Sequence, residues 1–196
     1  MTPPIRIGFA LTGSFCTFST VLPVVETLVS RGCEVIPILS EHAATLDTRF
    51  GAANLWRDRL CEVTKRDPIE NIVAAEPIGP KKLIDIMVVA PCTGNTLAKL
   101  AHGVTDTTVT MAVKSHLRGE KPVVLAVSTN DALSGSAANL GTLLNRKHYF
   151  FVPMRQDAPF DKPRSLVADM TRIPETIGAA LEGRQLQPIL LCPGEN

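Results

Sequence analysis

Short apolar runs alternate along this chain with stretches of helical spacing. Residues 5–11, 35–39, 86–90, 122–127 and 149–152 are the apolar runs, rich in β-branched residues. Such runs read as strands covered on both faces. Between them, apolar positions recur every three or four residues. Val21, Val24, Val25, Leu28 and Val29 mark one helix; Leu97, Leu100 and Ala101 a second; Val109, Ala112, Val113 and Leu117 a third. Pro23 is placed near the start of the first helix, where it is tolerated. Residues 41–64 read as helical and hold Trp56, expected to pack or to meet a partner. Residues 72–75 read as a short strand, followed by a rigid loop with Pro77, Gly79 and Pro80. Pro91 is expected to end the central strand, Gly103 to cap the helix after it, and Asp106 to cap the next. A helix is expected over 136–145, a loop over 153–163 and an amphipathic helix over 166–181. The tail from about residue 183, with Pro188 and Pro193, reads as irregular, an arm across a neighbouring subunit.

Strands alternating with helices predict a three-layer α/β fold around a doubly wound parallel sheet, Rossmann-like in plan. No repeat, low-complexity segment or linker interrupts it, so one domain is expected over residues 1–196. Composition adds exclusions. The net charge of +1 points to neither nucleic acid nor an acidic partner. Five cysteines and four histidines lack metal-ligand spacing, so no metal site is expected, and each histidine reads as a surface or cap residue. The first eleven residues hold too short an apolar segment for a secretory signal. No run approaches the roughly 18 apolar residues of a membrane span. A cytoplasmic protein with reduced thiols is the expectation.

The candidate chemistry lies at strand ends. Thr12-Gly13-Ser14, Ser40, Cys92-Thr93-Gly94-Asn95-Thr96 and Ser128-Thr129-Asn130 each follow a strand. In an open α/β sheet these carboxyl ends form the ligand crevice. Helix N-termini there offer free amides and a positive dipole end. Gly8 and Gly13 are spaced wrongly for a dinucleotide fingerprint. A single phosphate held by Gly13, Ser14 and a helix N-terminus fits the pattern, as does a tight turn that needs glycine. Thr93 reads equally as a plain N-cap and Asn95 as a turn residue.

Ala90 to Lys99, APCTGNTLAK, resembles the Pro-Ala-Ser-Ala-Asn-Thr segment of the flavin-binding cysteine decarboxylases. Gly8 to Ser14 is similar to their opening strand and loop, and Asn130 falls at the asparagine of their second motif. EPIGPKKLIDI, APCTGNTLAKLAHGVTDTTVTMA, VSTNDAL and SLVADM are similar to one branch, the B subunits of bacterial dipicolinate synthases, over nearly the whole chain. The resemblance implies an FMN-binding protein that works with an A subunit carrying NAD(P). The pair would oxidise a dihydro- or tetrahydrodipicolinate, a small dicarboxylate, to pyridine-2,6-dicarboxylate in the mother cell of a sporulating bacterium. It also implies trimers or dodecamers with flavin between subunits. The expected flavin-contacting set is Thr12, Gly13, Ser14, Ser40, Pro91, Cys92, Thr93, Asn95, Thr96, Thr110, Ser128, Thr129 and Asn130. In it Ser40 and Ser128–Asn130 would hold phosphate and ribityl chain, and Cys92–Thr96 would face the ring edge. Asn95, the motif's asparagine, would orient a substrate carboxylate. The departures argue against cysteine decarboxylation. Pro77 stands where the decarboxylases keep a catalytic histidine, Thr129 replaces a methionine, and Leu133-Ser134 replaces the Met-Trp clamp. A decarboxylase would need another base, such as Lys81, Lys82 or His116. A binding scaffold without chemistry of its own is the remaining alternative.

Overall fold

The structure is a computed structural model and describes residues 3–192. Its centre is β3 (Ile86–Cys92), every residue of which is buried. The other elements follow the predicted alternation: β1 (Arg6–Leu11), α1 (Phe18–Ser30), β2 (Glu34–Leu39), α2 (Glu41–Thr45), α3 (Ala53–Thr64) and α4 (Ile72–Ala75) precede it. After it come α5 (Gly94–His102), α6 (Thr108–Leu117), β4 (Val123–Thr129), α7 (Ala137–Leu144), β5 (Tyr149–Phe151), β6 (Met154–Arg155), β7 (Leu166–Ala168) and α8 (Ile173–Leu181). The sheet runs β2-β1-β3-β4-β7-β6. Pairing is parallel from β2 to β4, and β5 lies parallel along the first half of β4. Helices α1 and α8 pack on one face, with α3 against α1; α5, α6 and α7 pack on the other. Full burial of each core Val, Leu, Ile or Phe contributes about 1.5–3 kcal/mol, which is why the central runs are so uniformly apolar.

The fold is the expected α/β layering, with local corrections. The sheet is not wholly parallel, because β7 pairs antiparallel with Ser128 and Thr129, and β6 antiparallel with β7. Those strands occupy ground expected as loop and as the start of one long helix. The helix begins only at Ile173, with Pro174 in its first turn. Residues 72–75 form a helical turn, not a strand, because the Asn71 side chain accepts from the Ala74 amide. Segment 41–64 splits into α2 and α3 around a turn closed by Thr48 and Gly51. Thr107, not Asp106, caps α6: its hydroxyl and that of Thr110 form a capping box, while Asp106 pairs with Lys99 at 2.7 Å. Glu41 Oε1 accepts from both the amide and the hydroxyl of Thr108, at 2.9 Å each.

Pro91 does not end β3. The peptide before it is cis, and the register against β4 shifts between Val89 and Cys92, the kind of irregularity that accommodates a residue with no amide to donate. Pro23 lies inside α1, on its exposed side. Trp56 is buried and packs edge-on against Phe18. The tail folds back on its own chain. Met154 donates its amide to the Ile189 carbonyl and accepts from the Leu191 amide, and the Gln185 side chain brackets Phe151. Pro193 lies outside the described residues. Among the described residues, no helix is long and apolar enough to cross a membrane.

Candidate functional site: a crevice at the carboxyl edge

The turns after β1, β3 and β4 meet in a crevice of about 750 Å³. Gly13, Ser14, Thr93, Ser128, Thr129 and Asn130 line it, so the structure brings together residues far apart in the chain. Its floor is tied across the central strand. Ser14 Oγ and Ser128 Oγ share a hydrogen bond of 2.9 Å. Thr12 Oγ1 donates to the Pro91 carbonyl at 2.7 Å and accepts from the Thr93 amide at 3.1 Å. Thr12 is buried and serves as the brace beneath the crevice.

The N-terminus of α5 opens beside this floor. Thr93 Oγ1 caps it by accepting from the Thr96 amide at 3.3 Å. The amides of Gly94 and Asn95 have no partner among the described residues, the usual condition of a helix start. Asn95 is exposed at the second helical position, beside the crevice rather than in its lining. Gly94 has a reason to lack a side chain: a Cβ there would come within 2.7 Å of Ser136 Oγ, 2.8 Å of Thr129 Oγ1 and 2.9 Å of Asp131 Oδ1. Asp131 gathers that cluster, accepting from Thr129 at 2.6 Å and Ser136 at 3.0 Å. Gly13 is different. Its φ lies outside the left-handed region and a Cβ would meet Phe15 at an ordinary 3.7 Å. The fold itself therefore does not demand glycine at 13, and the bare backbone there leaves room on the crevice side.

Seven expected positions lie outside the lining: besides Thr12 beneath it and Asn95 beside it, five are engaged elsewhere. Ser40 Oγ is occupied as the N-cap of α2, accepting from Ala43. Cys92 points into the core with no exposed surface, and burial pushes its thiol up to about 12. Thr110 is buried in the capping box and borders a separate hollow of about 350 Å³ along α5 and α6. Thr96 is buried and donates its amide to Thr93, and Pro91 is buried in the strand. The alternative bases fare no better. His116 is no surface residue: it is 2% exposed, Nε2 lies 3.1 Å from the Pro122 carbonyl, and burial holds its pKa down to about 4. It and Lys82 sit where the strands begin, at the opposite edge.

The crevice also holds residues that reading the sequence missed. Phe15 and Phe50 supply aromatic walls, and the loop between β6 and β7 adds Asp157, Lys162, Arg164 and Ser165. Lys162 Nζ lies 3.1 Å from Asp157 Oδ2. Burial opposes ionisation of Asp157, but bonds from Ser165 and Lys162 keep its pKa below the ordinary value. The SLVADM motif, which holds Ser165 and Val167, was the available signal for this wall.

Residues 1–180 match the family model described as Flavoprotein. The chain belongs to the flavoprotein family. Its relatives narrow the placement. It is 48% identical over 186 residues to the dipicolinate synthase B subunit of Bacillus subtilis (strain 168), covering 95% of this chain and 93% of that one. The crystal structure of the dipicolinate synthase B subunit from Bacillus halodurans C superposes with a TM-score of 0.88 at 45% identity, over 96% of each chain. The FMN-dependent cysteine decarboxylase SpaF shares the fold at a TM-score of 0.68 and 22% identity, over 91% of this flavoprotein and 95% of SpaF.

Proposed function

We propose that this flavoprotein binds FMN in the carboxyl-edge crevice and acts as the B subunit of a dipicolinate synthase. The observation that carries the reading is the donor set of the crevice. Paired hydroxyls of Ser14 and Ser128 and the bare backbone of Gly13 suit one phosphate and a polar chain, and the open start of α5 beside them suits a polar ring edge or a carboxylate. The aromatic walls of Phe15 and Phe50 suit a flat ring. The residues present therefore fit the group. Flavin bound there supplies two-electron chemistry. The chain's own part is to seat it, to exclude water with the β6–β7 loop, and to orient a substrate carboxylate with Asn95.

With an A subunit carrying NAD(P), the complex would oxidise dihydro- or tetrahydrodipicolinate to pyridine-2,6-dicarboxylate in the cytoplasm of a sporulating mother cell. Each double bond formed in the ring needs one hydride and one proton removed, and aromaticity favours the product. Assembly into trimers or dodecamers would place further residues at the crevice. A second reading, a scaffold that only completes the A subunit's site, is favoured by one fact: among the described residues, no histidine lines the crevice. Decarboxylation of a cysteinyl substrate is disfavoured by the same fact and by Pro77.

The test is reconstitution. Purified chain titrated with FMN should quench flavin fluorescence and retain yellow colour after desalting. Mixed with the A subunit, oxidised NAD(P) and a dihydro- or tetrahydrodipicolinate, it should form pyridine-2,6-dicarboxylate and the reduced nicotinamide, and a Ser14→Asp chain that repels the phosphate should not. Full activity with the flavin-free chain would replace this reading with the scaffold.

A further inference from the structure

The loop over residues 156–165 brings two cations to the crevice, and they are employed differently. Lys162 is paired with Asp157 at 3.1 Å, and its backbone closes the loop by bonds to Ala158 and Ser165. The Arg164 side chain is exposed on the crevice wall and has no hydrogen-bond or ion-pair partner among the described residues. Its main chain is the reverse case. The Arg164 carbonyl accepts from the Leu133 amide at 2.9 Å, and Ser165 beside it is buried. Residue 164 is thus fixed against the turn that follows β4, while its guanidinium is left over.

That turn contributes Thr129 and Asn130 to the same crevice, so the free guanidinium stands on a braced wall and not on a loose end. Asp157 is already answered by Lys162 and Ser165, so Arg164 supplies the unbalanced positive charge of the crevice's side chains. A guanidinium presents a planar fork of donors that matches a carboxylate two bonds at a time, which an ammonium does not. We infer that Arg164 is a specificity-determining residue that takes a ring carboxylate of the substrate, selecting dicarboxylates over monocarboxylates. This rests on the function proposed above, in which Ser14, Ser128 and the backbone of Gly13 take the flavin phosphate.

The experiment uses the full chain loaded with FMN and two probes, pyridine-2,6-dicarboxylate and pyridine-2-carboxylate, measured by calorimetry in metal-free buffer. Wild type should bind the dicarboxylate more tightly than the monocarboxylate. Arg164→Gln should weaken the dicarboxylate by about 10- to 100-fold and erase that preference, with FMN affinity changed by less than about twofold. Arg164→Lys should recover part of the affinity, since charge returns without the fork; it also carries the comparison if Arg164→Gln melts early. Equal weakening of FMN and dicarboxylate would overturn the inference by assigning Arg164 to the phosphate. Unchanged dicarboxylate affinity in the variants would overturn it while leaving the proposed function intact. Wild type that binds FMN but neither probe would sink both the substrate class and the inference.

Discussion

The two edges of the sheet use polar residues in opposite ways. At the amino edge, Arg6, Asp85 and Lys121 form a closed set. Asp85 accepts from the Arg6 amide, from Arg6 Nε and Nη2, and from Lys121 at 3.4 Å, while Arg6 Nη1 and Lys121 Nζ reach the carbonyls of Lys82 and Ile84. The Arg6 guanidinium holds the Asp85 carboxyl down to about 2. His116 closes on Pro122 nearby. At the carboxyl edge the groups are half-answered: two serines share one bond, two amides are open, and a guanidinium faces out. An unmet polar group costs on the order of 1–3 kcal/mol once it is dry. Groups that answer one another belong to the fold; groups left to water are available to a ligand. The chemical inventory of the two edges is similar, and the state of satisfaction separates them.

The strongest way to break this contrast is at the amino side. A Cβ on Gly79 would stand 1.9 Å from the Ser115 carbonyl oxygen, backbone against backbone. The Gly79 amide also donates to Ser115 Oγ at 2.8 Å. Gly79→Ala should cost more than about 3 kcal/mol and lower the Tm by roughly 6–12 °C in thermal melts. Flavin affinity of the folded fraction should not move. A Tm within about two degrees of wild type would mean the loop yields freely.

The next effect is acid titration of His116. Its folded pKa of about 4 lies below its ordinary 6.5 because burial disfavours the imidazolium. The unfolded chain therefore binds the proton first. Stability should be full above about pH 6.5, fall as pH drops towards 4, and lose about 2–3 kcal/mol by about pH 4.5. Asp85 adds its own loss only below about pH 4. His116→Gln keeps an N–H for the Pro122 carbonyl and removes the titration. Urea unfolding at about pH 7.5 and 4.5 should show the loss in wild type alone; an equal loss in the variant would rule His116 out as its source.

The smallest effect on stability, and the most telling for the crevice, is expected at Asn95. As an aspartate at the second position of α5 it would favour the helix dipole by up to about 0.5 kcal/mol. The same charge would repel a dicarboxylate and lose an amide donor, so turnover of the complex should fall about tenfold or more. FMN affinity should change less. Joint loss of melting temperature and flavin affinity would show that Asn95 only holds the turn.

What the sequence disclosed divides along physical lines. The buried strands were legible because parallel pairing between two helical layers leaves only apolar, β-branched runs. Ser14, Thr93 and Ser128 were legible because polar residues directly after such runs stand at the carboxyl edge. Ser40 looks the same in sequence, but its hydroxyl is spent on a helix start, as is that of Thr110, which only the resemblance suggested; which amides lie near decides it. The strand at 166–168 was hidden because Leu166, Met170 and Ile173 also fit helical spacing; Pro174 marked the true start. Arg164 was out of reach because only the antiparallel pairing of β7 with Ser128 carries its loop over the crevice.

Glu41 gives α6 a counter-anion of its own. Its carboxylate sits on the amide of Thr108, so that helix start already holds the negative charge it favours. An anion bound at this edge, as proposed, would therefore meet one terminus that is taken and, at α5, one that is open. Under that reading the chain would steer its ligand without a repelling wall, by filling the wrong berth in advance.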